Sequence, residues 1–439
     1  MTNIHIIGGG LAGTEAAWQL AHAGIPCTLS EMKPARFSPA HKSAALAELV
    51  CSNSLKAERI GSAAGLLKEE MRRLGSLCVP AAERTRVPAG GALAVDRDRF
   101  SEEITRLIQA EPLITLRQGE EISELPQTQE KDRITIVAAG PLCSDALSAS
   151  IQNICGEGLH FYDAAAPIIT AESVDMKHAF AASRYERGGE EDYLNCPMNR
   201  AEYEAFEAAL ITAQRAHTHD FDVYEGCMPI EVLASRGKDA IRYGPMKPVG
   251  LRDPVTGHRP WAVLQLRKEN AGGALLNLVG FQTNLTFGEQ QRVFGMIPAL
   301  RNAEYVRYGV MHRNTFIDSP RLLSADFRMK SRQNLWFAGQ ITGVEGYMES
   351  AASGLLAGLG VVRTLNGQSS LALPRTTMLG VLSAYISDPT VKKFQPMGAN
   401  FGLLPPFEER IRDKRLRYEA LAARALADLA DVIDKKDGQ

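Results

Sequence analysis

No run of apolar residues in this sequence approaches the roughly 20 that a membrane-crossing helix requires, so a helical span and a membrane partner are not expected. The opening residues, MTNIHIIGGG, carry no basic n-region and no small-residue cleavage site; neither a signal peptide nor a transit peptide is expected, which points to a cytoplasmic location. Cysteine is scarce and scattered. Its seven positions (27, 51, 78, 143, 155, 196 and 227) are odd in number and never form a CxxC pair, which argues against a zinc cluster or a disulfide framework. No metal is expected, and a functional cysteine would act alone. Net charge is also nearly absent: a formal value of -2 gives no global basic footprint, so a nucleic-acid partner would have to be held by a local patch. Internal repeats, low-complexity tracts and heptads are missing too, and nothing marks a stable protein partner.

What is present is an ordinary folded composition, 45% hydrophobic and 23% charged, over 439 residues. That length exceeds what one core usually supports, so two domains or one domain with a large insertion are expected. The β-branched run Ile4–Ile7 leads into Gly8-Gly9-Gly10-Leu11-Ala12-Gly13 and then an Ala-rich helical stretch, Thr14–Ala23. This is GxGxxG in the strand, turn and helix context that dinucleotide binding demands. Gly8 permits the turn, Gly10 lets backbone approach a pyrophosphate, and Gly13 lets helix and strand pack, while Leu11 and Ala12 open the helix whose N–H groups face phosphate. A second strand, Cys27–Ser30, ends at Glu31, 18 residues beyond Gly13, where a carboxylate accepts from ribose hydroxyls.

The fingerprint alone does not separate NAD from FAD. A late segment helps: strand-like Asn334–Gly339 is followed by Gln340-Ile341-Thr342-Gly343-Val344-Glu345-Gly346-Tyr347 and a helix from Met348 to Gly360. This resembles the segment of two-dinucleotide-domain flavoproteins that closes over the flavin, and it makes Gly339, Gln340, Gly343, Gly346 and Tyr347 candidate cofactor-binding residues. Strand-like runs at Ile114–Arg117 and Ile134–Ala138, with helical runs at Gly65–Leu74, Arg99–Gln109 and Leu142–Ile151, continue the α/β alternation. The pattern changes at Arg187–Glu191; beyond it lie a helix, Arg200–Ala213, and a hairpin in which Trp261–Arg267 and Ala274–Gly280 flank Asn270–Gly273. The expected fold is therefore α/β: a Rossmann-type FAD-binding domain at 1–186 and 302–370, an inserted α+β substrate domain at 187–301, and a C-terminal loop and helical tail at 371–439. The basic residues of that tail, Arg410 to Arg417, read as a solvated helix face.

Longer strings carry a more specific resemblance. Leu49-Val50-Cys51-Ser52-Asn53-Ser54-Leu55, Gly65–Met71, Pro88–Arg97, Glu225-Gly226-Cys227-Met228-Pro229-Ile230-Glu231, Gly280–Leu285 and Arg307–Thr315 are similar to hallmarks of the bacterial folate- and FAD-dependent tRNA uracil-5-methyltransferases. That family is related to the glucose-inhibited division protein flavoproteins, whose closing segment it shares. The resemblance runs from about residue 4 to about residue 405. Only at Thr286-Phe287-Gly288 does the sequence depart from the pattern, where a longer basic or aromatic side chain is expected.

The resemblance implies transfer of a one-carbon unit from 5,10-methylenetetrahydrofolate, by way of reduced FAD, to C5 of an RNA uridine. The implied acceptor is the T-loop uridine-54 of tRNA, giving 5-methyluridine, and NADH or NADPH is the implied reductant. Carried over residue by residue, Cys227 matches the cysteine that attacks uracil and Cys51 the one beside the isoalloxazine. The chemistry fits the residue type: a thiolate adding to C6 makes C5 nucleophilic, and it needs a positive environment. Arg236, Lys238, Arg242 and Lys247 follow Cys227 and would supply one, while Glu225 and Glu231 oppose it. The other five cysteines read as inert buried thiols. Tyr347 is a candidate to stack on flavin or folate, and Arg292, Arg301, Arg307 and Arg313 to contact phosphate or the folate glutamate tail. Three other readings stay open at this point: the same chemistry on a ribosomal RNA uridine, an FAD oxidoreductase acting on a small metabolite, and a non-enzymatic RNA-binding protein that retains flavin.

Overall fold

Four short strands of the first third of the chain and one that returns near residue 335 build a five-stranded parallel sheet in the computed structural model, which describes residues 2–126, 132–156, 159–186, 192–216, 228–392 and 394–437. Its order is Leu335–Phe337, Arg133–Val137, Asn3–Ile7, Cys27–Glu31, Ile114–Gln118, and every pairing is parallel. Parallel pairs need crossovers; helix Leu11–His22 supplies the first and helix Arg97–Ala110 precedes the strand at Ile114. Such strands are covered on both faces, and Ile4, Ile6, Leu29, Ile136 and Trp336 are accordingly buried. The chain leaves the first strand to one side for Cys27–Glu31 and returns on the other for Arg133–Val137. That reversal opens a crevice at the carboxyl end of Asn3–Ile7, where doubly wound sheets bind ligands.

The return segment locks the sheet through glycine. Helix Tyr347–Leu365 lies against helix Leu11–His22, and a Cβ on Gly354 would sit 2.0 Å from the Ala12 carbonyl oxygen, one on Gly358 2.9 Å from that of Ala16. Two glycines four apart leave one face of the helix bare, so the backbones meet there and both helix N-termini reach the crevice.

A second body is built on a six-stranded sheet, ordered Phe180–Ala181, Tyr193–Met198, Ala262–Lys268, Leu275–Leu278, Ile168–Thr170, Tyr305–Arg307, all antiparallel. Tyr203 and Phe206 of helix Arg200–Thr212 pack on it with Phe281 and Phe294. This sheet corrects the expected 187–301 insertion: Ile168–Thr170 and Phe180–Ala181 precede it and Tyr305–Arg307 follows it, because the edge positions are filled by short strands that carry no alternation of their own. The polar stretch read as a boundary, 187–191, lies outside the described residues. The antiparallel pair Leu159–Ala164 and Met311–Phe316 connects the two bodies. Helix Lys414–Asp437 buries Leu421, Ala422, Ala425 and Leu429, while Lys414, Arg415 and Leu416 are exposed and Arg417 is half-buried, so its basic end is largely solvated. No described helix is long and apolar enough to cross a membrane.

Candidate functional site

The crevice is walled by the glycine turn, the end of the second strand, the stretch from Met32 to Cys51, and the closing segment at Gly339, Gln340, Tyr347 and Ser350. Gly8 holds φ +106°, and a Cβ there would meet the Ala138 carbonyl oxygen at 2.5 Å; one on Gly13 would lie 1.9 Å from the Gly8 oxygen. Those two glycines are required by packing. Gly10 differs: a Cβ there would meet nothing within 4 Å and would project into the cavity that Gly10 lines. Helix Leu11–His22 begins at Gly10 with no side-chain cap and no acidic residue in its first turn, so its leading N–H groups and positive end remain available to an anion. Glu31, buried at 6% exposure, accepts from Gly9 N at 2.7 Å and Lys33 N at 3.0 Å, which fixes its carboxylate at the wall with further lone pairs to give. An open cradle at Gly10, an uncapped helix and a fixed carboxylate at the next strand fit a dinucleotide.

In the closing segment, Gly339 N donates to Ser353 Oγ at 2.6 Å and Gln340 Nε2 to Glu345 Oε2 at 2.6 Å. Gly343 and Gly346 are not at the wall. Gly343, at φ +81°, is turned against the Phe394 ring, and Gly346, at φ +120°, faces Glu349 and Lys56. They shape the turn, and Gly339, Gln340 and Tyr347 face the cavity.

Cys51 lies in a loop held from three directions. Tyr347 O accepts from Cys51 N at 2.7 Å and Ser52 N at 3.1 Å, and Cys51 Sγ is 2.9 Å from the same oxygen. A hydroxyl oxygen has two lone pairs and one proton; with both lone pairs taken by backbone N–H groups, the proton points to the sulfur, and Cys51 Sγ is the acceptor. Burial holds the Tyr347 phenol well above its ordinary range, with the Cys51 sulfur adding to the effect, so that proton stays in place. From the second sheet, Arg267 Nε donates to Asn53 Oδ1 and Nη2 to Ser52 Oγ, each at 3.0 Å, while Asn53 Nδ2 donates to Val95 O and Lys268 O. From helix Arg97–Ala110, Arg97 Nη1 donates to Leu49 O at 3.0 Å, and its Nε lies 2.7 Å from Glu269 Oε2. Burial opposes the charge on Arg97, but Glu269, Tyr347 and Cys51 outweigh it and raise the pKa. Arg307 is close enough to Arg97, Tyr347 and Cys51 to feel their charges; burial first, then Arg97, lowers its pKa. The sulfur therefore sits between a hydroxyl donor and two guanidinium groups.

Cys227 lies outside the described residues. Its segment is anchored where Ala216 N donates to Asn284 O and Ile230 N to Gln282 O, both at 2.7 Å. Arg292 is exposed and paired with Glu289 at 2.6 Å, away from the wall. Arg313 belongs to strand Met311–Phe316, and its neighbour Asn314 lines the cavity. Burial pushes Cys27 up to about 12, Cys143 to about 11 and Cys155 to about 12, and it raises Cys78 and Cys196 as well. Sequence reasoning missed Lys33, His41 and Glu48 at the wall. Lys33 Nζ donates to Ala45 O at 2.7 Å and lies 3.6 Å from Glu48, and burial, then Lys33, lowers the pKa of His41. These residues sit in an irregular stretch without periodicity, so no pattern singled them out. Among the described residues no group of three or more His, Cys, Asp or Glu is gathered as a metal site would need.

Residues 3–369 match the family model of glucose inhibited division protein A. The chain is 55% identical over 438 residues to the methylenetetrahydrofolate--tRNA-(uracil-5-)-methyltransferase TrmFO of Enterococcus faecalis, covering 99% of each chain. It is 55% identical over 436 residues to the protein of the same name from Acetivibrio thermocellus, covering 98% of this chain and 99% of that one. Among solved structures, GidA of Aquifex aeolicus superposes with a TM-score of 0.71 at 16% identity, over 98% of this chain and 74% of that chain, which shows a shared fold.

Proposed function

The chain belongs to the glucose-inhibited division protein A family and, within it, to the folate-dependent tRNA (uracil-5-)-methyltransferases, and from that premise we propose how its residues serve the transfer of a one-carbon unit from 5,10-methylenetetrahydrofolate to C5 of a tRNA uridine. FAD is the cofactor that the crevice fits. Leu11, Ala12 and Gly13 would present N–H groups to its pyrophosphate above Gly10, Glu31 would take the ribose hydroxyls, and Gly339 and Gln340 would close over it. When bound, the flavin supplies the redox and carbon-transfer chemistry that no side chain offers. NADH or NADPH is the reductant in this reading.

The chain's own contribution is a nucleophile, a positive field and a dry wall. A cysteine thiolate adds to C6 of the uracil, forming an S–C6 bond and moving the C5–C6 electron pair onto the C4 carbonyl oxygen, which makes C5 the nucleophile. After C5 has gained its carbon, loss of the C5 proton to a base expels the thiolate and restores the ring. Cys227 would take this role, Cys51 is the thiol at the cofactor wall, and Arg307 would meet a carboxylate or phosphate of a substrate. The division into a flavin-binding body and a substrate body belongs to the same proposal. The observation that carries it is the Cys51 sulfur at 2.9 Å from the Tyr347 hydroxyl on the wall that also holds Gly10.

The test incubates purified protein with FAD, a tRNA transcript, NADPH and labelled 5,10-methylenetetrahydrofolate, then maps the label. Label in 5-methyluridine of the T-loop is expected from the native protein, and loss of it from Cys227→Ala. Reduction of the flavin with no labelled uridine overturns the reading.

A further inference from the structure

At the edge of the second sheet three aromatic rings lie face to face. Tyr305 and Tyr308 have centroids 5.0 Å apart and planes 4° from parallel, and Phe287 extends the stack at 4.5 Å and 15°. The inner rings are pinned: Tyr305 donates its hydroxyl proton to Gln290 O at 3.2 Å, and the Tyr308 hydroxyl accepts from Gln291 Nε2 at 2.7 Å. The outer ring is not covered; Phe287 is 55% exposed in the first turn of helix Phe287–Phe294.

The position of this stack ties it to the reacting groups. Tyr308 follows Arg307, which feels the charges of Cys51 and Tyr347. Phe287 follows Thr286, whose N–H donates to Gln214 O at 3.1 Å, beside the Ala216–Asn284 bond that anchors the near end of the segment before Met228. The exposed Arg215 forms an antiparallel bridge with Leu285, two residues from Phe287. A rigid planar array thus ends in one half-exposed ring, two residues along the chain from the backbone bridge of exposed Arg215 with Leu285 and close in sequence to the anchors of the Cys227 segment.

We propose that the outer face of Phe287 is a stacking platform for one unpaired nucleobase of the tRNA substrate, next to the uridine that is methylated. This rests on the RNA reading above. Sequence-specific contacts to RNA are made mainly in single-stranded loops, whose bases can be splayed onto aromatic rings, and stacking is tolerant of base identity because every base has a π-face. A flat ring backed by two parallel rings meets a base with no rearrangement, and Arg215 supplies the charge that an adjoining phosphate requires.

The experiment measures binding of a tRNA transcript to the full, flavin-loaded chain at fixed salt, together with 5-methyluridine yield, for the native protein, F287L, F287W and F287Y. Leucine keeps apolar volume and loses the plane; tryptophan and tyrosine keep the plane. Affinity is expected to fall roughly 5- to 150-fold in F287L, the range of a single base stack, and to stay within about threefold of native in F287W and F287Y on the same scale. A transcript with an abasic nucleotide at the contacted loop position is expected to weaken the native protein and leave F287L unchanged. Native affinity in F287L overturns the platform, as does equal loss in all three variants, or a change of oligomeric state in F287L that accounts for the loss. A native protein that neither binds nor methylates the transcript fails the RNA reading itself; one that methylates it while F287L binds normally fails only the platform.

Discussion

The Tyr347 hydroxyl shows how one atom serves structure and chemistry together. It takes the N–H groups of Cys51 and Ser52 and gives its proton to the sulfur. Replacement by phenylalanine takes the hydroxyl acceptor from two half-buried N–H groups, a cost of at most about 1–3 kcal/mol for a group left unsatisfied, and removes the hydroxyl beside the sulfur. In Tyr347→Phe, alkylation of Cys51 by iodoacetamide, followed by mass spectrometry of its peptide, is expected to slow several-fold at pH 7, and the melting temperature to fall. An unchanged rate would show that the hydroxyl does not prepare the sulfur. The glycine turn separates binding from folding in the same way. Gly10→Ala puts a methyl into open cavity and is expected to keep the melting temperature of the flavin-free protein while reducing flavin retention; Gly13→Ala, with its Cβ 1.9 Å from the Gly8 oxygen, destabilises the flavin-free fold by about 1–3 kcal/mol or more. Absorbance at flavin wavelengths and thermal melts distinguish the two. Gly8, Gly10, Gly13 and Glu31 were legible because their spacing within one βαβ unit is fixed by local geometry. The Cys51–Tyr347 contact was not, since 296 residues separate its partners and nothing local records the meeting.

At the scale of elements, helix Met378–Ser387 shows what periodicity leaves out. Its sequence, MLGVLSAYIS, is apolar on nearly every side, so it has little amphipathic signal, and it was read only as part of a loop and tail. What places it is Glu70 of helix Ala63–Arg73, whose carboxyl accepts from Met378 N and Leu379 N at 2.8 Å each. Burial pushes Glu70 up to about 8, against the pull of those two N–H groups. The folded pKa thus lies above the unfolded value, and between about 4.5 and about 8 the native state binds the extra proton, so Glu70's contribution to stability is present at low pH and is lost as pH rises through that window. The loss is bounded by about 1.4 kcal/mol per pH unit. In Glu70→Gln this component disappears. Thermal midpoints of both proteins between pH 5.5 and 8.5 check it: the native midpoint is expected to fall relative to that of Glu70→Gln as pH rises, and parallel curves would contradict the assignment. The amphipathic helix Arg97–Ala110 was legible because its pattern extends over several turns, and the closing helix at Tyr347, buried on nearly every side, was legible from the glycine-rich turn that precedes it. The short edge strands Phe180–Ala181 and Tyr305–Arg307 were not, because two or three residues cannot establish a period.

Across the whole molecule, the walls of the crevice come from positions between Ile7 and Ser350, so that ligand binding bears on nearly the entire chain. Anything that binds the folded state alone adds RT ln(1 + [L]/Kd), or about 2.7 kcal/mol at a hundredfold excess over Kd. Stripping the flavin is expected to lower the calorimetric transition, and adding FAD back to restore it in proportion to the logarithm of its concentration. How far that stabilisation spreads depends on Asn53, fully buried, which ties the Cys51 loop to Arg267 and Lys268 of the second sheet. Asn53→Ala removes the acceptor of the buried Arg267 Nε, and a buried donor left unsatisfied costs about 1–3 kcal/mol. The second body should then melt on its own, at a temperature that no longer responds to FAD, while the transition of the parallel-sheet body still does. A single transition that continues to shift as one with FAD in Asn53→Ala would show that the coupling runs through other contacts between the two bodies, among them the Arg97–Glu269 pair, the bond from Ala271 N to Asp96 and the ribbon of Leu159–Ala164 with Met311–Phe316.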